Sequence, residues 1–135
     1  MAARYLLDAN ILIAALKGEP AALLNRLTKL APSRLCLSSV VLAELLTGAE
    51  KSRDPGAKKA ALDELTRNME AVPFDNEASH AYSKIRAALE RKGQVIGPHD
   101  LQIAAQALAR DLVVVTANTR EFARVPGLRF ENWLK

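Results

Sequence analysis

The chain has 135 residues, half of them apolar, and carries 19 Lys and Arg against 15 Asp and Glu, for a formal charge of +4. That is one domain of ordinary size with material for a sizeable core, and no apolar run approaches the roughly 18–20 residues of a membrane span. The mildly basic balance suits a polyanionic partner, while only six aromatic residues argue against a sheet of base-stacking aromatics, so backbone charge would carry most of any affinity for nucleic acid.

In chain order, RYLLD (4–8) reads as a short buried strand and NILIAALKG (10–18) as a helix stopped by Gly18 and Pro20. PAALLNRLTKL (20–30) is amphipathic, with Leu23, Leu24, Leu27 and Leu30 at helical spacing and Arg26 and Lys29 outward. RLCLS (34–38) is a second strand. Its Cys36 is the single cysteine, which forms no internal disulfide, and the N-terminus lacks the pattern of a signal peptide; both fit a cytoplasmic protein. SVVLAELLTGAEKS (39–52) is a helix that Ser38 or Ser39 caps. AKKAALDELTRNM (57–69) is a helix, AVPF (71–74) a short strand, and EASHAYSKIRAALERKG (77–93) a helix ended by Gly93. GPHDLQIAAQALARDL (97–112) is a helix with Pro98 in its first turn. VVVTA (113–117) is a buried strand, TREFARV (119–125) a short helix and LRFENW (128–133) a last strand or extended tail.

Strands alternate with helices, and the strands are unbroken apolar runs, as expected when both faces are covered. The fold class this implies is α/β: a short central parallel sheet flanked by helices. Ligands of such sheets sit at the carboxyl ends of the strands. Asp8 ends the first strand and Asn118 follows VVVT, so both fall at that edge, where Asp8 need not be buried.

Three carboxylates stand out against apolar surroundings. Asp8 reads either as an N-cap or as a site residue. Glu44 lies in VVLAELL, inside what reads as a buried helix, where a glutamate needs a partner: a salt bridge or a ligand. Asp100 precedes LQIAAQALA and is either a first-turn acid favoured by the helix dipole or a third member of a site. Brought together without a cation, such groups repel and some take up protons. Oxygen-only ligands select a hard ion, Mg²⁺ or Mn²⁺. The other chemistry is thin. His80 reads as helix surface and His99, beside Asp100, as a loop residue or one that touches substrate, and there is no zinc spacing, P-loop, GxGxxG or Gly-x-Ser-x-Gly elbow.

LLDANILIAAL, SSVVLAELLTGAEKS, IGPHDLQIAAQALARDL and VVVTANTREFARVPGLRFENW occur here in the order in which similar motifs occur in PIN-domain ribonucleases, and nearly the whole chain resembles the VapC-type toxins of bacterial toxin–antitoxin pairs. The resemblance implies a single PIN domain over 1–135, a three-layer sandwich, and a metal-dependent endoribonuclease. Asp8, Glu44 and Asp100 match the acidic residues that hold Mg²⁺ or Mn²⁺. Many relatives carry Asp where this chain has Asn118, and Glu121, one turn on, stands where it would supply the missing carboxylate. Asn10 would orient Asp8 or a water, and Thr116 would hydrogen-bond an Asp or a water. The same resemblance implies a structured RNA substrate, tRNA first, a VapB-type antitoxin and a homodimer, with no membrane partner. Lys51, Arg53, Lys58 and Lys59, and Arg86, Arg91 and Lys92, read as solvated faces or RNA contacts.

Other readings make different demands. A haloacid-dehalogenase-like phosphatase wants Asp where this chain has Asn10, and a receiver domain wants Lys where it has TAN. A non-catalytic RNA-binding or scaffolding PIN-like domain with a vestigial metal site fits Asn118 but not the retention of three carboxylates. Carboxylates serving only as structural salt bridges would affect stability and no specific activity.

Overall fold

The computed structural model describes residues 3–135. Five strands, β1 (Tyr5–Leu7), β2 (Leu35–Ser38), β3 (Glu70–Val72), β4 (Val113–Val115) and β5 (Phe130–Glu131), form one sheet in the order β3-β2-β1-β4-β5. Every pairing is parallel, with Leu6 in register with both Cys36 and Val114. The helices are α1 (Ala9–Lys17), α2 (Ala21–Lys29), α3 (Ser39–Glu50), α4 (Pro55–Thr66), α5 (Asn76–Arg91), α6 (Pro98–Arg110) and α7 (Thr119–Phe122). α1, α3 and α4 pack together, and α5 lies along α6, which also packs on β4.

The sheet positions the site. From β1 the chain crosses outward to β2 on one side, and β4 later fills the other side. The order therefore reverses between β1 and β4, where ligands of open parallel sheets bind. Leu6, Leu7, Val114 and Val115 are fully buried, so the two strands that flank this point are anchored in the core. The backbone N–H of Asp8 donates to the Val115 carbonyl at 2.9 Å, which brings Asp8 alongside the end of β4.

The helices start where side chains can cap them. Ser38 accepts from the Val40 N–H at 3.0 Å and is the cap of α3. Asp54 accepts from Ala57, and Pro55 occupies the first turn, so α4 begins two residues before the expected 57. Gly18 ends α1 in the left-handed region, at φ 77°, where a side chain would be strained. β3 ends at Val72, and Pro73, with no N–H to give the ladder, lies outside it. Of LRFENW only Phe130 and Glu131 pair as a strand; Trp133 is instead a core residue, edge-on to Tyr5 at 4.9 Å between ring centroids and covered by the Arg26 guanidinium.

α3 differs from its expectation. Only Val41 and Ala49 are buried, while Ala43, Glu44 and Leu46 face outward. The helix meets the sheet and its neighbours along one side only, so its outer apolar residues form an open face rather than core. With Ile13 and Leu16 of α1, Leu46 is among the few large apolar side chains left exposed.

Candidate metal centre and active site

Asp8 is the N-cap of α1. One oxygen, Oδ1, accepts from the Ala9 N–H at 2.8 Å, and the other, Oδ2, accepts from the Thr116 hydroxyl at 2.8 Å. The residue is 6% exposed. Closeness to the strand end does not keep it in water, because the 116–118 segment folds over it. Two hydrogen bonds offset part of the cost of burying the charge.

Thr116 is fully buried and works in two directions. Its oxygen accepts from the Asn118 N–H at 2.9 Å while its hydroxyl donates to Asp8. Asn10 Oδ1 accepts from the Ala117 N–H at 3.2 Å. So one residue after β1 and one after β4 tie the two strand ends together, and the chain is held in position over the carboxylate.

Asn118 carries the link to α6 and α7. Its Nδ2 donates to Asp100 Oδ2 at 2.7 Å and to Glu121 Oε2 at 3.3 Å. Glu121 also accepts from the Gly97 N–H at 3.4 Å. Asp100 stands in the first turn of α6, half-buried. Burial, a hydrogen bond with Glu121 and the Asp8 charge push its carboxyl up to about 7. Glu121 moves the other way: the hydrogen bond from Asp100 is the main cause that lowers it. Proximity of the two acids thus favours the proton on Asp100 over Glu121. Acids crowd here as expected of a site that wants a cation.

Glu44 reaches the residue beside Asp100. Its Oε1 pairs with His99 Nδ1 from the neighbouring helix, with side chains 40% and 60% exposed. The structure therefore brings together Asp8, Asp100, Asn118, Glu121, Thr116 and Asn10, and places Glu44 on His99. Among the described residues no three His, Cys, Asp or Glu side chains form a ready-made metal cage. What fits is a hydrated hard ion. Mg²⁺ binds through one or two carboxylates and keeps several waters, and Asp100 and Glu121 offer a crowded, all-oxygen pair beside the fixed charge of Asp8. Sequence reasoning missed two participants. The Gly97 N–H carries no side-chain signal, and the His99–Glu44 pair was foreshadowed only by Glu44's need for a partner.

The basic groups are scattered. Lys59 pairs with Glu50, and Arg86 with Glu90 at 2.8 Å. Lys51, Arg53, Lys58, Arg91 and Lys92 are exposed.

No helix of the described residues is long and apolar enough to cross a membrane. Comparison with known proteins is consistent across sequence and structure. The PIN domain model matches residues 5–128. The tRNA(fMet)-specific endonuclease VapC of Salmonella typhimurium is 42% identical over 130 residues, covering 96% of this chain and 98% of the relative. Among solved structures, DNA-bound VapBC from Salmonella typhimurium superposes with a TM-score of 0.90 at 41% identity, covering 98% of this chain and 99% of that one. VapBC2 from Rickettsia felis, bound to a DNA fragment from its promoter, gives 0.88 at 37%, covering 96% and 98%. A five-stranded parallel sheet with its acids at the β1–β4 reversal, matched in sequence over almost its full length, makes this chain a member of the PIN-domain family, within its VapC group.

Proposed function

We propose that this chain is the toxin of a toxin–antitoxin pair, an endoribonuclease that cuts structured RNA, tRNA first, with Mg²⁺ or Mn²⁺. The observation that carries the reading is the meeting of Asp8, Asp100 and Glu121 around Asn118 at the carboxyl ends of β1 and β4. The relatives named as endonucleases of tRNA support the substrate class. A cytoplasmic location fits such a substrate.

Asp8, Asp100 and Glu44 would hold the ion, partly through water, with Glu121 adding a carboxylate beside Asp100. When bound, the ion supplies Lewis acidity and positive charge at the scissile phosphate. The chain's own groups do the rest. Thr116 and the Ala9 N–H fix the Asp8 carboxylate, so its charge needs no reorganisation during reaction. Asn118 holds Asp100 and Glu121 in register. A carboxylate of the cluster accepts the proton of the attacking water. The water oxygen bonds to phosphorus as the bond to the 3′ oxygen breaks, and the leaving oxygen takes a proton from solvent, giving a 3′-hydroxyl and a 5′-phosphate.

The apolar groove between α1, α3 and α4, a cavity of about 340 Å³ lined in part by Ile13, Leu16, Leu45 and Leu62, is the surface for a VapB-type antitoxin segment. Exposed Ile13, Leu16 and Leu46 give an apolar helix something to cover. A homodimer is part of this proposal.

The test uses partner-free protein and its Asp8→Asn variant on a pool of tRNAs and other small structured RNAs, with Mg²⁺, Mn²⁺ or EDTA, followed by mapping of the ends. Discrete cleavage that needs both metal and Asp8 is the expected result. RNA bound but uncut by folded, metal-loaded protein would favour the non-catalytic reading that Asn118 invites.

A further inference from the structure

Arg124 has no part in the mechanism above, yet it reaches the loop that leads into the site. The segment that carries α7 is anchored, because Phe122 and Val125 are core residues. Two polar side chains rise from that base: Glu121 and, three residues on, the exposed Arg124. Both grip residues 92–97, the loop between α5 and α6. Arg124 Nη1 donates to the Val95 carbonyl at 2.9 Å, and Glu121 Oε2 accepts from the Gly97 N–H at 3.4 Å. One fixed segment thus gives a donor to a loop carbonyl and an acceptor to the N–H two residues later.

The rest of the loop shows what this grip controls. The Gly93 and Gln94 amides still bond to α5, at the Glu90 and Leu89 carbonyls. Beyond them Ile96 is buried, but Val95 is 59% exposed, so its side chain gives the loop little hold. Gly97 is the N-cap of α6, and its carbonyl accepts from the Leu101 N–H at 2.9 Å. Its place therefore sets where α6 starts, and with it Asp100 in the first turn. We propose that Arg124 is a positioning residue: by holding the Val95 carbonyl it sets Gly97, and through Gly97 the spacing of Asp100 and Glu121. A contact to an RNA phosphate is the rival role for an exposed arginine here. The bond to Val95 favours positioning, since the guanidinium already gives a donor to the chain's own backbone. This inference rests on the ribonuclease reading and adds a support for its acids.

The experiment compares wild type, Arg124→Met, Arg124→Lys, Glu121→Gln and the Arg124→Met, Glu121→Gln double variant. Mn²⁺ affinity is read by calorimetry, exchange of the Gly97 amide with heavy water by NMR, and kcat and KM on the RNA cleaved in the test above. Arg124→Met should lower Mn²⁺ affinity by about tenfold, the low end for a group that orients a metal ligand. It should speed exchange at Gly97 and, at subsaturating Mn²⁺, lower kcat with KM for RNA unchanged. Arg124→Lys, which keeps a charged donor, should recover part of each. In the Glu121→Gln background, Arg124→Met should cost little further Mn²⁺ affinity, because the two residues act as one unit. Two results would overturn the proposal while the nuclease reading stands. One is a raised KM and a weaker salt dependence with Mn²⁺ affinity unchanged, as a phosphate contact gives. The other is a lower melting temperature with Mn²⁺ affinity and Gly97 exchange unchanged, as a purely structural bond gives. If wild type neither binds Mn²⁺ nor cleaves RNA, the nuclease reading itself falls and this inference with it.

Discussion

Thr116 and Asp8 lie 108 residues apart in the chain and 2.8 Å apart in the fold, hydroxyl to carboxylate, both buried. The bond joins the ends of the two central strands and determines how Asp8 carries its charge. Thr116→Val keeps the shape and removes the donor. It should cost about 1–3 kcal/mol in urea unfolding, because a buried charged acceptor is left short of a partner. Thr116→Ser should restore most of that. Metal affinity should drop in the valine variant alone, by roughly 10–100-fold.

Asp8→Asn keeps the size but removes the charge and turns one of the two acceptor oxygens that Ala9 and Thr116 bond into a donor. We expect at least about 100-fold loss of kcat/KM with the fold intact by circular dichroism. A matching loss of fold would place Asp8 among structural residues instead.

Asp100 makes metal-free stability depend on pH. Its folded value of about 7 is above its ordinary 3.8. A carboxyl raised in this way binds its proton more tightly when folded. Its stabilising contribution is complete below 3.8 and disappears as pH rises through about 7. Glu121 is shifted downward, so its own contribution is present above its ordinary 4.5 and is lost in acid. In EDTA, the unfolding midpoint should therefore fall between pH 5 and 7, on the order of the interval between those ordinary values and the raised one. Asp100→Asn should flatten that fall. Saturating Mg²⁺ should reverse it, since a bound cation favours the ionised form. A midpoint that does not respond to either change would mean the acids are not crowded in solution.

Asn118→Asp replaces two donor contacts with a fourth carboxylate. Without metal, the variant should be less stable than wild type at pH 8. With metal, it should bind Mn²⁺ more tightly, by about tenfold, because affinity for hard ions grows with ligand charge. Calorimetry on the two proteins decides this.

Leu16→Asp alters the apolar groove at a position 41% exposed and away from the acids. It should weaken capture by a VapB-type antitoxin by at least about tenfold, the scale of one buried leucine. Cleavage by the free toxin should not change. Surface plasmon resonance against the antitoxin, with a cleavage assay beside it, separates the two effects.

Much of this architecture was legible in the sequence. Short unbroken apolar runs marked buried parallel strands, and Asp8 and Asn118 fell near their carboxyl ends, Asp8 directly after β1 and Asn118 three residues past β4. Asp100 and Glu121 are in the first turns of helices that begin at the same edge. Glu44 was harder. Apolar neighbours in VVLAELL suggested burial all round, whereas α3 keeps one face open, and a run of leucines looks the same whether it meets core or a surface kept for a partner. Thr116 was expected to bond an Asp or a water, but that it donates to Asp8 depends on parallel register between strands more than a hundred residues apart. Gly97 contributes only a backbone N–H, which no residue type announces. β5 is two residues long because Trp133 turns inward, a packing event set by Tyr5 and Arg26 rather than by local pattern.

The Asp8 amide completes a ladder bond to Val115, and the Thr116 amide continues the next one to Glu131 at 2.9 Å. Asp8 is thus set on a hydrogen bond between the two central strands, the part of a sheet that opens last. Its amide proton should be among the last to exchange with heavy water. A site mounted on that part of the molecule does not breathe, and whatever silences it must act from outside, by covering it rather than bending it.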